Sequence, residues 1–286
     1  NLDHHNFDGV EWAWLAFGSE GRDEQTFSTD QDNGIVFVSP ESAAVDSLRQ
    51  RFLAFALDVN KDLDRCGFPL CKGNIMASNP QWCLTLDEWR EQFTSWIRVP
   101  HPEALLNASI FFDFRSLFGK AELADAMRRH LLAQAAATPM FLQAMSRIAL
   151  DVEPPLGKIR AFLTDLEPDH PGKIDLKKYG SRIFVDVARI YALATGVHNT
   201  NSAQRLRLSG KRLSIRDEEI NAVLEGLDFI QLLRLRHQYL EGEPGRQGDN
   251  LISPDDLNEL DRRILKESFR QARKIQTRLK LDYQVS

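Results

Sequence analysis

Two aspartates, Asp30 and Asp32, stand one residue apart just before an apolar run. If that run forms a strand, its side chains alternate between the two faces of a sheet, so both carboxylates project to the same side. In phosphate chemistry, Mg²⁺ is held by one or two carboxylates together with phosphate oxygens of the substrate. The pair therefore predicts a site for a hard divalent cation.

A third carboxylate, Asp113, lies between two phenylalanines in the apolar run 109–114, which predicts a buried strand. Burying an unpaired charge is costly, so this aspartate needs a cation or strong hydrogen-bond donors. A metal ion shared with Asp30 and Asp32 would supply the cation, and a salt bridge to Arg115 or to a neighbouring helix is the alternative. The first case predicts a metal site of three aspartates.

The pair Gly18 and Ser19 ends the first apolar run and precedes Asp30 by about ten residues. Glycine lets backbone N–H groups approach phosphate oxygens, and the serine hydroxyl adds a donor. Arg22 follows in the same turn, where it either contacts the phosphates or is an ordinary surface arginine. The turn is predicted to bind the β- and γ-phosphates of a nucleotide. Lys72 and Asn74, in a later glycine-containing loop, are further candidates for nucleotide contacts.

The predicted secondary structure changes character after Gly119, because strands and helices occur before it and helices alone follow it. The predicted strands cover residues 11–17, 34–38 and 109–114. The predicted helices cover residues 41–65, 86–98, 121–136, 139–151, 155–166, 181–196, 216–240 and 254–281. The sequence therefore predicts an α+β chain with a mixed domain over residues 1–136 and an all-α domain over residues 137–286.

Composition excludes several classes of protein. Apolar residues make up 43% and charged residues 27% of the chain, which is typical of globular proteins rather than disordered or membrane proteins. We find neither a membrane-spanning run nor a signal peptide, so we expect a cytoplasmic protein. The first 136 residues hold 20 acidic and 12 basic residues, so binding to a nucleic-acid backbone is not expected. Three cysteines without a C-x-x-C pair predict reduced thiols, with neither a disulfide framework nor a zinc site.

These motifs resemble the signature of the polymerase-β-like nucleotidyltransferase superfamily. The strings GSEGRDEQ at residues 18–25 and TDQDN at residues 29–33 are similar to those of a bacterial nucleotidyltransferase family that often follows CBS or cyclic-nucleotide-binding domains. That family is related to the PII-protein uridylyltransferases. The likeness continues along most of the chain, through KGNIMASN at 72–79, FFDFR at 111–115, DLKK at 175–178, VDVARIYAL at 185–193 and LRLRHQ at 233–238.

The resemblance implies a polymerase-β-like catalytic domain, a small mixed sheet with helices, followed by a helical substrate-binding domain. It implies two Mg²⁺ or Mn²⁺ ions on Asp30, Asp32 and Asp113, with an NTP as substrate. It also implies a role in signal transduction, with a PII-like regulatory protein as acceptor and upstream regulatory domains absent from this chain, which begins at Asn1. The chain lacks the His-Asp dipeptide of the hydrolase module that reverses uridylylation in bifunctional relatives.

The sequence leaves two other functions open: a small-molecule nucleotidyltransferase, and a non-catalytic sensor that binds NTP and relays its occupancy. A set of basic residues in the helical half could supply nucleotide or acceptor contacts, although charged residues at helical spacing are usually solvated. These residues are Lys177, Lys178, Arg182, Arg189 and Arg205.

Overall fold

The structure is a computed structural model that describes residues 5, 7–39, 44–157, 162–164, 166–241 and 248–285. The chain divides into two compact units. The first comprises Asn1–Gln25 and Thr29–Thr138, and the second comprises Thr26–Ser28 and Pro139–Ser286.

A four-stranded mixed sheet forms the centre of the first unit, in the order β3-β2-β1-β4. Strands β1 and β2 are antiparallel, as are β1 and β4, whereas β3 runs parallel to β2. The strands are β1 Glu11–Ala16, β2 Asn33–Val38, β3 Cys83–Thr85 and β4 Arg115–Gly119. This sheet confirms the predicted α+β class with a small mixed sheet.

Helices cover both faces of the sheet. The helices of this unit are α1 Gly18–Gly21, α2 Val45–Arg65, α3 Leu86–Arg98, α4 Pro102–Phe111 and α5 Ala121–Ala136, with a 3-10 turn at Pro80–Trp82. On one face, Trp12 of β1 packs against Phe52 and Phe55 of α2, with ring centroids 5.4 and 5.5 Å apart. On the other face, α3 and α5 contact the sheet and each other. Residues 41–43 of the predicted helix 41–65 lie outside the described residues.

The start of α3 is fixed by a capping box between Thr85 and Glu88. Arg49 of α2 donates to the carboxylate of Glu88 at 2.7 Å and to the carbonyl of Cys83. Partial burial raises the pKa of Glu88, but the hydrogen bonds from Arg49 and Thr85 outweigh it and hold this pKa below its ordinary value. The ionised glutamate therefore ties α2 to α3.

The predicted strand at 109–114 is wrong, because α4 continues to Phe111. Pro102 stands at the first turn of α4, where its fixed φ favours a helix, and the ring of His101 accepts from the amide of Ala104. The apolar residues of this short helix are spread around its circumference and leave no polar face. Its composition therefore resembles that of a buried strand. Asp113 consequently lies between α4 and β4.

The second unit is helical, as the sequence predicts, with one short β-ladder between β5 and β6. The helices of this unit are α6 Pro139–Leu150, α7 Arg182–Thr195, α8 Ser202–Arg212, α9 Asp217–Glu241 and α10 Glu259–Asp282. The strands are β5 Ile174–Asp175 and β6 Leu251–Ile252, and a π-helical turn, Lys177–Ser181, precedes α7. None of the helices in the described part of the chain is both long enough and apolar enough to cross a membrane.

One helix prediction in this unit is wrong. Leu156 forms an isolated bridge with Phe162, which excludes a helix through these two residues of the predicted segment 155–166. The carbonyl of Pro155 accepts from the amide of Leu163, and the carbonyl of Leu156 accepts from Arg273 of α10, so these backbone groups bond outside a helix. Residues 158–161 and 165 of the predicted segment lie outside the described residues. Helix α8 was not predicted, because polar residues dominate it.

A buried polar network stabilises the second unit. Arg234 donates to Asn250 at 2.8 Å and to the hydroxyl of Ser181 at 3.1 Å. The side chain of Gln238 donates to the same Asn250 and accepts from the amide of Ser28 at 3.2 Å. Arg234 and Gln238 are both nearly inaccessible to solvent, so these hydrogen bonds offset the cost of burying their polar groups.

Candidate active site

The Gly-Ser turn lies directly beside one of the three predicted metal ligands. The amide of Phe17 donates to the carbonyl of Asp32 at 2.9 Å, which fixes the end of β1 against the residue before β2. Gly18 follows with a φ of +57°, and a Cβ at this position would lie 3.2 Å from Oδ2 of Asp32. Glycine therefore permits both the left-handed turn and the close approach of the carboxylate.

Asp30 and Asp32 come together as the sequence predicts, and Cys71 joins them. One carboxylate oxygen of each aspartate and the Sγ of Cys71 all lie within 4.8 Å of one another. Asp30 is exposed, Asp32 is half-buried and Cys71 is buried. The two aspartates thus offer hard oxygen ligands from the solvent side, which suits Mg²⁺ or Mn²⁺ completed by phosphate oxygens.

Cys71 has the role of a hydrogen-bond partner in this cluster. Burial raises the pKa of its thiol to about 11, and the charge of Asp32 together with a hydrogen bond to it acts in the same direction. Backbone hydrogen bonds from Ile75 and Gly73 act in the opposite direction and are outweighed. The thiol stays protonated near neutral pH, and its S–H donates to Asp32. Sequence reasoning missed this contact, because one cysteine without a metal-binding spacing carries no signal of its own.

Asp113, the third predicted ligand, lies in a different arrangement. Its side chain is fully buried, and its Oδ2 accepts from Nη1 of Arg22 at 2.7 Å. Arg22 also donates through Nε to Glu24 at 2.8 Å, and the side chains of Arg22 and Glu24 are 12% and 6% exposed. The structure therefore groups Asp30 with Asp32, and pairs Asp113 with the arginine that the sequence suggests for phosphate binding.

Close backbone packing holds the Gly-Ser turn to the segment that carries Asp113. A Cβ on Gly21 would lie 2.8 Å from the carbonyl carbon of Asp113, nearer still to its oxygen, and 2.9 Å from the carbonyl oxygen of Ala16. Arg115 adds a hydrogen bond to the carbonyl of Glu20 at 2.9 Å. The turn that begins at Gly18 and the buried Asp113 are thus placed relative to each other by backbone contacts.

Lys72 and Asn74 are in the loop that follows Cys71. Both side chains are exposed. Asn74 has a φ of +55°, and its carbonyl accepts from the indole of Trp82 at 3.2 Å and from the side chain of Asn79 at 3.0 Å. The loop is thereby held by its backbone, which leaves the two predicted side chains directed to solvent.

The basic candidates of the second unit differ in exposure. Lys177 and Arg182 are exposed, whereas Lys178 donates to Glu167 at 2.5 Å. Arg189 and Arg205 are each 2% exposed. Arg189 donates to Asp186 on its own helix, and Arg205 to the carbonyl of Asn199. These hydrogen bonds satisfy part of the polar capacity of the two buried arginines inside the unit.

In the first unit, a small mixed sheet thus carries two aspartates just before one strand, beside a glycine-serine turn at the end of its neighbour. The family described as "Putative nucleotidyltransferase DUF294" matches residues 2–103. The family described as "Putative nucleotidyltransferase substrate binding domain" matches residues 139–283. The chain belongs to this two-part nucleotidyltransferase family, and no curated protein matches it significantly.

Proposed function

We propose that this chain transfers a nucleoside monophosphate from an NTP to an acceptor hydroxyl. The oxygen of the hydroxyl forms a bond to the α-phosphorus, the bond from that phosphorus to the β-phosphate oxygen breaks, and pyrophosphate leaves. The observation that carries the proposal is the cluster of Asp30 and Asp32, with Gly18 beside Asp32. A triphosphate on this turn would lie next to both carboxylates.

In the proposal, Asp30 and Asp32 hold two Mg²⁺ or Mn²⁺ ions. Bound divalent cations neutralise the triphosphate and lower the pKa of the acceptor hydroxyl. The donor set supports this choice, because two carboxylates at one side leave room for phosphate oxygens. Cys71 keeps Asp32 oriented through its thiol hydrogen bond.

Asp113 enters the proposal as the third carboxylate, which binds a metal and accepts the hydroxyl proton. Its buried charge is balanced by Arg22 at 2.7 Å. A metal–NTP complex would offer each partner a replacement, a cation for Asp113 and a phosphate for Arg22. We therefore propose that nucleotide binding exchanges this ion pair for two new ones.

Different observations support two classes of acceptor. The resemblance to PII-protein uridylyltransferases supports a protein acceptor, a role in signal transduction and UTP or ATP as donor. A cavity of about 480 Å³ that Asp30 lines supports a small-molecule acceptor instead. Lys72, Asn74 and the exposed Lys177 and Arg182 are proposed contacts to nucleotide or acceptor, because their side chains are open to solvent.

The experiment uses each of the four NTPs labelled at the α-phosphate, with Mg²⁺ or Mn²⁺, in the presence and absence of cell extract. An Asp30→Asn variant is assayed beside the wild type, with Asp58→Asn on the exposed surface of α2 as the matched control. We expect label to move to a defined acceptor with wild type and with Asp58→Asn, and at least a hundredfold less with Asp30→Asn.

Two outcomes would contradict the transferase. Tight binding of a metal–NTP complex without transfer in any extract would identify a nucleotide sensor instead. Equal transfer by Asp30→Asn and wild type would show that the aspartate cluster is not the site of the reaction.

A further inference from the structure

A cavity of about 480 Å³ opens beside the aspartate cluster, within the first unit. Asp30 and Glu20 both line it, and so does the end of the α2 face that bears Val59 and Leu63. Its volume falls in the range of sites that enclose a small organic molecule. A ligand there would lie against a proposed metal ligand.

Aromatic rings form much of the wall. Trp12 and Trp14 of β1 face the cavity together with Phe55 of α2, and each of the three is less than 10% exposed. Phe68 and Phe118 stand nearer the solvent, 39% and 53% exposed. Trp12 and Phe118 contact each other with ring centroids 5.6 Å apart, so the wall is continuous from the core to the mouth.

A bulge in the edge strand shapes the mouth. In the register of β1 and β4, Ser116 stands opposite Leu15 and Phe118 stands opposite Trp14, so Leu117 is an extra residue on β4. Leu117 and Phe118 both line the cavity although they are neighbours in sequence. Both are large apolar side chains that remain exposed on the protein surface.

The charges around the cavity have one sign. Glu20 and Asp30 are acidic, and none of the lining residues that the structure describes is Lys, Arg or His. In the described part of the chain, the carboxylate of Glu20 has no hydrogen-bond donor, and burial raises its pKa above the ordinary value, with Arg115 opposing. A phosphate would have no basic partner among these lining residues.

The neutral polar residues of the wall are already hydrogen-bonded within the protein. Gln31 donates to the carbonyls of Asn60 and Phe68 and accepts from the side chain of Asn60. Asn33 accepts from Asn60 and from the amide of Ala77. The two carboxylates are therefore the charged groups that remain for a ligand.

We propose that this cavity binds the acceptor of the transfer reaction, and that the acceptor is a small organic cation with an apolar or aromatic body and a hydroxyl group. Aromatic faces attract cations, and a carboxylate within the same site adds charge complementarity. The hydroxyl points to Asp30, while the cationic group lies between the rings and Glu20. The identity of the ligand as the acceptor rests on the proposed function. The existence of a cation site rests on the cavity alone.

Binding is measured first without nucleotide or metal, by calorimetry in EDTA. Three probes share a naphthylmethyl body and differ in charge: a trimethylammonium, an alcohol and a sulfonate. We expect the cation to bind roughly tenfold more tightly than the sulfonate, with the alcohol between them. Equal affinity for all three, or tighter binding of the sulfonate, would overturn the proposal.

Matched variants locate the binding. Leu117→Lys places a positive charge at the mouth and should weaken cation binding at least fivefold, whereas Leu57→Lys, at a similarly exposed leucine of α2 outside the cavity, should not. Glu20→Gln should weaken it several-fold, and Glu122→Gln on the exposed surface of α5 should leave it unchanged. If the two variants of either pair changed the affinity for the cation equally, the cation would bind elsewhere. Tryptophan fluorescence melting checks that each variant is folded.

A second measurement tests the role as acceptor site. The naphthylmethyl trimethylammonium ion, which carries no hydroxyl, should inhibit transfer of label in cell extract without weakening metal–NTP binding. Label found on a protein, with transfer unaffected by the cation, would overturn the acceptor assignment. If no NTP binds but the cation binds as expected, the nucleotidyltransferase proposal fails and the cation site remains.

Discussion

Removal of the guanidinium of Arg22 should destabilise the first unit strongly, because that group balances two carboxylates. Asp113 is fully buried at 2.7 Å and Glu24 is 6% exposed at 2.8 Å. Breaking a buried ion pair from one side costs about 3–5 kcal/mol, since it leaves an uncompensated charge. With two carboxylates affected, we expect Arg22→Met to cost about 4 kcal/mol of unfolding free energy.

Asp113→Asn should cost less, about 2–3 kcal/mol, because Arg22 keeps Glu24 and the amide oxygen of the new asparagine still accepts a hydrogen bond. The double variant should cost about 4 kcal/mol, so the two substitutions are coupled by about 2 kcal/mol. The order of the two single costs follows from the number of ion pairs that each substitution removes, two for Arg22→Met and one for Asp113→Asn.

Urea unfolding followed by tryptophan emission measures the unfolding free energy of the first unit, which contains Arg22 and Asp113. All five tryptophans belong to the first unit, and all four tyrosines belong to the second. Excitation at a wavelength specific to tryptophan therefore reports the first unit alone, even if the units unfold separately. Additive costs in the double variant, or a larger cost for Asp113→Asn than for Arg22→Met, would refute the assigned ion-pair network.

Three further outcomes follow from local geometry. Gly21→Ala should cost about 3 kcal/mol in the same assay, because its Cβ would overlap backbone atoms of Asp113, whereas Gly73→Ala, with only ordinary contacts, should cost less than about 1 kcal/mol. An aromatic disulfide reagent at pH 8 should modify Cys66 rapidly and the two buried thiols slowly, and equal rates for all three would contradict the described burial. The lowered pKa of Glu88 stabilises the fold above the ordinary glutamate pKa of about 4.3, and this contribution is lost as the pH falls through the folded value. The stability gap between wild type and Glu88→Gln should therefore shrink from pH 6 to pH 3.5, and a constant gap would contradict it.

Much of the fold could be predicted, because hydrophobic spacing determines most of these elements. The boundaries of α3 and α5 agree with the sequence prediction, and β1 and β2 lie where the apolar runs place them. The prediction failed at residues 109–111, the end of a helix whose apolar residues show no one-sided pattern. Periodicity cannot distinguish a buried helix from a buried strand. A proline at the first turn of α4 was the signal that could have identified the helix.

The candidate site was predictable only in part. Spacing places Asp30 beside Asp32, since both precede the same strand. The pairing of Arg22 with Asp113 joins residues 91 positions apart, and no local pattern reveals such a contact. The cavity could not be predicted for the same reason, because its wall combines residues of β1, of α2 and of a bulge in β4 that are distant in sequence. Sequence spacing alone does not predict where a bulge falls.

Asp30 and Asp32 are proposed to bind an NTP through a divalent cation. Electron paramagnetic resonance of Mn²⁺, titrated into the protein with each of the four NTPs, measures this directly. For at least one NTP, we expect the bound Mn²⁺ signal with wild type and with Asp58→Asn, and at least tenfold weaker binding with Asp32→Asn. Equal binding by all three proteins, or no binding of any Mn²⁺–NTP complex by the wild type, would contradict the claim.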